Sequence, residues 1–173
     1  MQSTAEDCNR ITVRSQIKRG IDMEKSNRAL ELFQNNFNCS QAVLTAFASD
    51  YGISEELALK IGTSFGGGAR NGEICGAVSG ALMVIGLKYG HYHAEDIVEK
   101  QRAYKIAVDY TTRFRNVNGA IVCRDLLGYD LTIPSEMECI KEKGLFKDIC
   151  AKMIRSAVEI LEEILEEYHL DTV

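Results

Sequence analysis

Six cysteines are the residues of this chain best suited to chemistry: Cys8, Cys39, Cys75, Cys123, Cys139 and Cys150. A thiolate is a nucleophile, a redox carrier when it meets a second thiol, and a ligand for thiophilic metals. Six cysteines in 173 residues are too dilute for a disulfide scaffold, which spends roughly 8% or more of its residues on cysteine. In a reducing compartment, grouped cysteines read as metal-binding or redox-active before structural. The spacing excludes the compact sites. There is no C-x-x-C, hence no thioredoxin-type dithiol and no zinc ribbon. There is no C-x-x-C-H for covalent haem and no bacterial ferredoxin run. Cys39, Cys75, Cys123 and Cys150 are each tens of residues from the next, so a shared site has to be assembled by the tertiary fold.

Other candidates carry less. The stretch Gly62-Thr-Ser-Phe-Gly-Gly-Gly-Ala-Arg-Asn-Gly72 can offer backbone N–H groups to an anion. It is not a Walker loop, because no Gly-Lys-Ser/Thr follows, and not a dinucleotide fingerprint, because no strand precedes it. It reads better as a loop that lets backbone crowd Cys75. Gly67 and Gly68 in the loop, and Gly76 after the cysteine, are then the candidate cofactor-binding positions. His91 and His93 form an i, i+2 pair on a turn, more often surface than metal site, although histidine is the commonest metal ligand. His169 is expected to be exposed. No serine nucleophile motif and no paired-carboxylate arrangement stands out.

The elements that must position the cysteines read as helices. A first helix is expected over Asp22–Asn36, with Leu30, Phe33 and Phe37 at helical spacing. Asn38 and Gln41 fit a capping box that opens the second, which ends by Gly52. Ser54 caps a short third helix with Glu55 and Glu56 in its first turn. The fourth covers Ile74–Lys88 and stops at Gly90. Its run Ile74–Leu87 is 14 residues without a charge, short of the roughly 18 a membrane span needs, so it reads as a buried central helix. Gly76, Gly80 and Gly86 each cost about 1 kcal/mol of helix propensity relative to Ala, which close approach of a neighbour would offset. The fifth, from about Ala94 to Asn116, carries Ile97, Gln101, Tyr104, Val108 and Thr111 on one stripe and ends at Asn118-Gly119. A short helical turn is expected after Cys123, and Ser135 with Glu138 suggests another capping box and a short helix to Lys143. The last helix, roughly Asp148–Tyr168, has Ile154, Val158, Leu161, Leu165 and Tyr168 on an amphipathic stripe. Glu159, Glu162, Glu163, Glu166 and Glu167 lie mostly opposite, as a solvated face. Cys39, Cys75 and Cys150 thus open helices and Cys123 precedes a turn. A helix N-terminus favours a thiolate, and Arg124 would add to that beside Cys123.

Composition agrees with a helical globule. Hydrophobic residues are 46% and charged residues 26%, enough apolar matter to exclude disorder for most of the chain. A single proline argues against an all-β sandwich with its many turns. The net charge of −5 leaves no broad basic footprint for nucleic acid. The first twenty residues are polar, without an apolar signal core or twin-arginine pair, so the expected compartment is the cytoplasm. They are read as an N-terminal arm, and 21–173 as one helical domain.

Asn38-Cys39-Ser40-Gln41-Ala42-Val43, Gly66-Gly67-Gly68, Cys75-Gly-Ala-Val-Ser-Gly80, Cys123-Arg124 and Cys150, in this order, resemble the redox-active protein family named for its C-GCAxxG-C-C cysteine pattern. The likeness runs from about Ser26 to Leu165. It implies a small helical protein whose family cysteines are Cys39, Cys75, Cys123 and Cys150, with Cys8 and Cys139 outside the pattern. Some members carry a twin-arginine export signal, which hints at a bound prosthetic group such as an iron–sulfur cluster.

The expectation is therefore an all-α bundle of five or six helices around the glycine-containing fourth. Cys39, Cys75, Cys123 and Cys150 would form its redox site and ligate an iron–sulfur cluster or another thiolate-bound metal. As an oxidoreductase or electron-transfer component it would serve a partner protein. The alternatives are metal-free thiol–disulfide chemistry, and a non-catalytic helical binding protein with the acidic last helix as partner or homodimer face.

Overall fold

A computed structural model describes residues 24–170 of the chain. It is all-α. Helix α1 spans residues 24–34. It is followed by α2 (Cys39–Ala48), α3 (Glu55–Gly62), α4 (Gly76–Tyr89), α5 (Ile97–Asn118), α6 (Cys123–Leu127), α7 (Pro134–Glu142) and α8 (Ala151–Leu170). These eight exceed the five or six expected because α6 and α7 are short. The expected N-terminal arm and Cys8 lie outside the described residues. Among those residues no strand is present, only an isolated antiparallel bridge between Ile74 and Val122. No helix among them is long and apolar enough to cross a membrane.

Local chemistry sets the boundaries. The Asn38 side chain accepts hydrogen bonds from the N–H groups of Ser40 and Gln41, and the Gln41 side chain accepts one from Asn38 N–H at 3.0 Å. That reciprocal box starts α2 where the sequence indicates. Ser54 Oγ accepts from Leu57 N–H at 3.2 Å and starts α3. Gly52 and Gly119 close their segments in the positive-φ conformations that glycine adopts without strain. The Ser135–Glu138 capping box does not form. The cap position is Ile133, and Pro134 opens α7 instead, its fixed φ and missing N–H suited to a first helical residue.

Helix α4 is the hub, packed against α2, α5 and α8. Its Ala77, Val78, Ala81, Val84 and Ile85 are buried. Helix α8 contributes Ile154, Val158 and Leu161 from the expected stripe, joined by Ala157 and Ile164. Helix α5 turns a different face inward from the one its 4-3-4-3 pattern suggests. Ile106, Tyr110 and Phe114 are buried, whereas Ile97, Tyr104 and Val108 are exposed. Two apolar rows share this helix, and the row that includes two aromatic rings and steps by four is the one buried. Each such side chain contributes roughly 1.5–3 kcal/mol. Polar bonds fasten the α5–α8 seam. Arg113 pairs with Asp109 and Glu167, Arg102 donates to Tyr168 O at 2.8 Å, and Asn118 donates to Ser156 Oγ at 2.8 Å.

Candidate redox centre

The four spaced cysteines lie close enough to feel one another's charge, and Cys39, Cys75 and Cys123 stand at helix starts, whereas Cys150 lies within helical chain that begins at Phe146. Cys39 is the first residue of α2 and Cys123 the first of α6. Cys75 is the residue before α4, and Cys150 ends a one-turn segment (Phe146–Cys150) that leads into α8. All four are buried free thiols. The side chains of Cys39 and Cys150 are electrostatically coupled, and the charges of Cys75 and Cys123 are also felt at Cys39. Cys123 in turn feels Cys75 and Cys150. Cys139, half-buried on α7, acts instead on Lys143.

Backbone fixes the Cys75–Cys123 pair. Around the Ile74–Val122 bridge, Cys75 N–H donates to Ile121 O at 2.8 Å and Cys123 N–H donates to Glu73 O at 2.6 Å. Arg124 closes this short ladder from outside by pairing with Glu73 and, at 3.3 Å, with Asp130. Asp130 Oδ1 is held in turn by the Thr132 N–H at 2.9 Å and hydroxyl at 2.7 Å. Arg124, expected to favour a Cys123 thiolate, is instead engaged by these carboxylates.

The glycine loop winds left-handed. Gly67, Gly68, Ala69 and Arg70 all have positive φ, a strained state for the latter two. At Gly68 a Cβ would lie 2.3 Å from Glu73 N, so only glycine fits. Gly67 faces Leu131, 3.2 Å from where its Cβ would be. At Gly76 a Cβ would stand 3.2 Å from Cys39 Cβ and 3.1 Å from Phe65 O. The missing side chain is what lets the start of α4 abut Cys39. Gly80 similarly faces Ser40 O at 2.8 Å, but Gly86 faces open space and packs against nothing.

Helix-start thiols were expected to ionise easily. Only Cys150 does, its pKa lowered by the Cys39 side chain. Cys39 is pushed well above its usual value by that same coupling, by burial and by the neighbouring cysteines. Burial raises Cys75 to about 11, although the N–H groups of Ala77 and Val78 oppose it. Burial, then Cys75, Cys150 and Asp130, raise Cys123 to about 12. Desolvation and mutual crowding outweigh the helix dipoles.

Tyr110 belongs to this neighbourhood and was not singled out from sequence. It is fully buried, donates to Ala157 O at 3.4 Å, and its phenol is pushed up by burial and then by Cys75. Its only signal in the sequence is the Ile106, Tyr110, Phe114 step of four, which the outward row of α5 obscures. His93 is exposed and lies against Tyr92, their ring centroids 4.3 Å apart and their planes tilted by 48°.

Among the described residues, no three His, Cys, Asp or Glu side chains are grouped to hold one metal ion. An iron–sulfur cluster takes four thiolates shared among its irons. The Cys39–Cys150 contact and the bridged Cys75–Cys123 pair offer four buried sulfurs as two pairs, a donor set that fits a cluster in number and chemical type.

No curated protein and no solved structure matches the chain. The model of the family described as "Putative redox-active protein (C_GCAxxG_C_C)" matches residues 37–164. That span includes all four cysteines, the left-handed glycine loop and Cys75-Gly-Ala-Val-Ser-Gly80, and the chain belongs to this family of redox-active proteins.

Proposed function

We propose that the protein is an electron-transfer component whose centre is an iron–sulfur cluster ligated by Cys39, Cys75, Cys123 and Cys150. The observation that carries this reading is the convergence of four distant cysteines, all buried and unoxidised, three of them at helix starts. A bound cluster supplies one-electron transfer and the positive iron charge that lets crowded buried thiols ionise together. The chain's own residues do the rest. The bridge at Ile74–Val122 fixes one pair of sulfurs, Gly76 admits Cys39 to the other side, and burial keeps water from all four. Helix N-termini offset the negative charge of such a group. The reading implies a redox partner protein and the reducing cytoplasm as its setting.

Protein purified without oxygen is expected to contain iron and acid-labile sulfide in near-stoichiometric amounts, with visible absorption. Colourless protein that also resists reconstitution with iron and sulfide overturns this reading.

The Cys39–Cys150 coupling favours a second one, dithiol–disulfide exchange with a partner's disulfide. The Cys150 thiolate would attack a partner sulfur, forming a mixed disulfide and releasing one partner thiolate. Cys39, after giving up its proton, would then attack the Cys150 sulfur and release the second. Mild oxidation of metal-free protein would join Cys39 to Cys150, detected as a linked peptide pair by mass spectrometry; any other pairing sinks this alternative.

A further inference from the structure

Between the C-terminal end of α1 and the segment carrying Cys150 lies a cavity of about 750 Å³. Phe33 and Phe37 line it on the α1 side, and Phe146, Lys147 and Ala151 on the other. Gln34 and Lys147, both exposed, bring the polar groups. Its place along the chain ties it to the centre. Phe37 stands two residues before Cys39, and Lys147 and Ala151 bracket Cys150. Neither thiol lines the cavity, but chain neighbours of each do, which places it beside the Cys39–Cys150 pair. Its size is that of a small-molecule site, mostly apolar with a few polar groups.

The lining selects a ligand class. Three phenyl rings offer flat π-faces to a flat ring. An ammonium and a side-chain amide offer donors to oxygen acceptors. A small planar molecule with carbonyl oxygens at its edge fits both, and beside a redox centre that describes a quinone. We propose that this cavity binds a small quinone, its ring among Phe33, Phe37 and Phe146 and a carbonyl oxygen on the Lys147 ammonium. The choice of class rests on reading the four cysteines as a redox centre. In the dithiol form of that centre the exchange balances without another reagent. Cys39 and Cys150 lose two electrons and two protons as their S–S bond forms, and the quinone gains them as hydroquinone.

The test is anaerobic equilibrium dialysis of the full chain against duroquinone, whose fully methylated ring resists thiol addition. Durene, the same ring without carbonyls, is the comparison. Saturable binding of one equivalent is expected, with durene weaker. Lys147→Met, an exposed change that leaves the core intact, should weaken duroquinone about three- to tenfold and leave durene unchanged. Ala151→Phe should fill the cavity and abolish binding with helical circular dichroism retained. Absence of saturable binding, equal binding of durene, or indifference to Lys147→Met overturns the proposal. Iron, sulfide and disulfide analysis read the centre separately. Protein that carries a cluster or forms the Cys39–Cys150 disulfide yet ignores duroquinone overturns the cavity assignment alone. Protein that binds duroquinone but does neither supports the cavity and overturns the redox reading.

Discussion

The two cysteine pairs are held by different means. Cys75 and Cys123 are fixed by main chain: a two-sided bridge sets their N–H groups, and Arg124 clasps it from outside. Cys39 begins one helix and Cys150 precedes another, and the two are coupled through their side chains. The first pair has both thiols raised, to about 11 and 12, whereas the second splits, one thiol up and one down. The comparison teaches that a backbone-held pair is a fixed platform, while a side-chain-held pair can change its bonding without moving a helix. The cavity lies on the side of the second pair.

The largest effect that would break this contrast concerns the platform. Cys75→Ser should abolish iron and sulfide binding and the visible spectrum, while Cys8→Ser leaves them intact. Metal analysis showing the reverse would mean that the centre has been misassigned. Next, Gly76→Val drives a branched side chain into Cys39 and Phe65 O. Overpacking of this kind costs roughly 1–3 kcal/mol. Thermal unfolding should show the loss, and cluster content should fall with it. Gly86→Ala in the same helix meets open space and should stabilise by about 0.5–1 kcal/mol, so equal destabilisation by both would refute the close-approach argument.

A subtler effect sharpens the split within the second pair. In metal-free reduced protein, thiolate absorbance near 240 nm should appear first from Cys150 as pH rises. Cys150→Ser should delete that step and bring Cys39 down towards the ordinary thiol range, since the Cys150 side chain is the largest cause of its elevation. The smallest effect is expected at the clasp. The Asp130 carboxyl is held below its usual value by Thr132 and then by Arg124. A depressed carboxyl contributes stability above the ordinary carboxylate range and loses it as pH falls through its folded value. Arg124→Met should therefore make the acid loss of stability shallower, visible as a smaller drop in urea midpoint between neutral and acidic pH. An unchanged acid limb would leave Thr132 as the sole holder of Asp130.

Much of this was legible before any coordinates. The Asn38–Gln41 box, the charge-free run that becomes α4 and the placing of Cys39, Cys75 and Cys123 at helix starts are local signals, and local chemistry decides them; Cys150 departs, because the helical chain around it begins at Phe146. The nearness of the four cysteines was legible only through their order and motifs, because nothing in a spacing says which helices touch. What failed was decided by tertiary context. The outward row of α5 has a clean helical period, but packing against α4 and α8 chose the row with Tyr110 and Phe114. The Ser135–Glu138 pair lost to Pro134, whose ring fixes the first turn. Thiol acidity was read from helix dipoles, whereas burial and crowding, invisible in sequence, set its sign at Cys39, Cys75 and Cys123. The left-handed turn at Ala69 and Arg70 had no signal either, since neither residue favours positive φ.

The side-chain-held pair also sets an order of events during synthesis. Cys39 leaves the ribosome early, and Cys150 follows only after α2 through α7 have emerged. Until then the segment Phe146–Cys150 is still to come. Such a long-range contact is slow to form and is reached late in folding. A nascent chain that has not yet reached Cys150 would hold Cys39, Cys75 and Cys123 without their fourth neighbour, beside a hydrophobic face that α8 has still to fill.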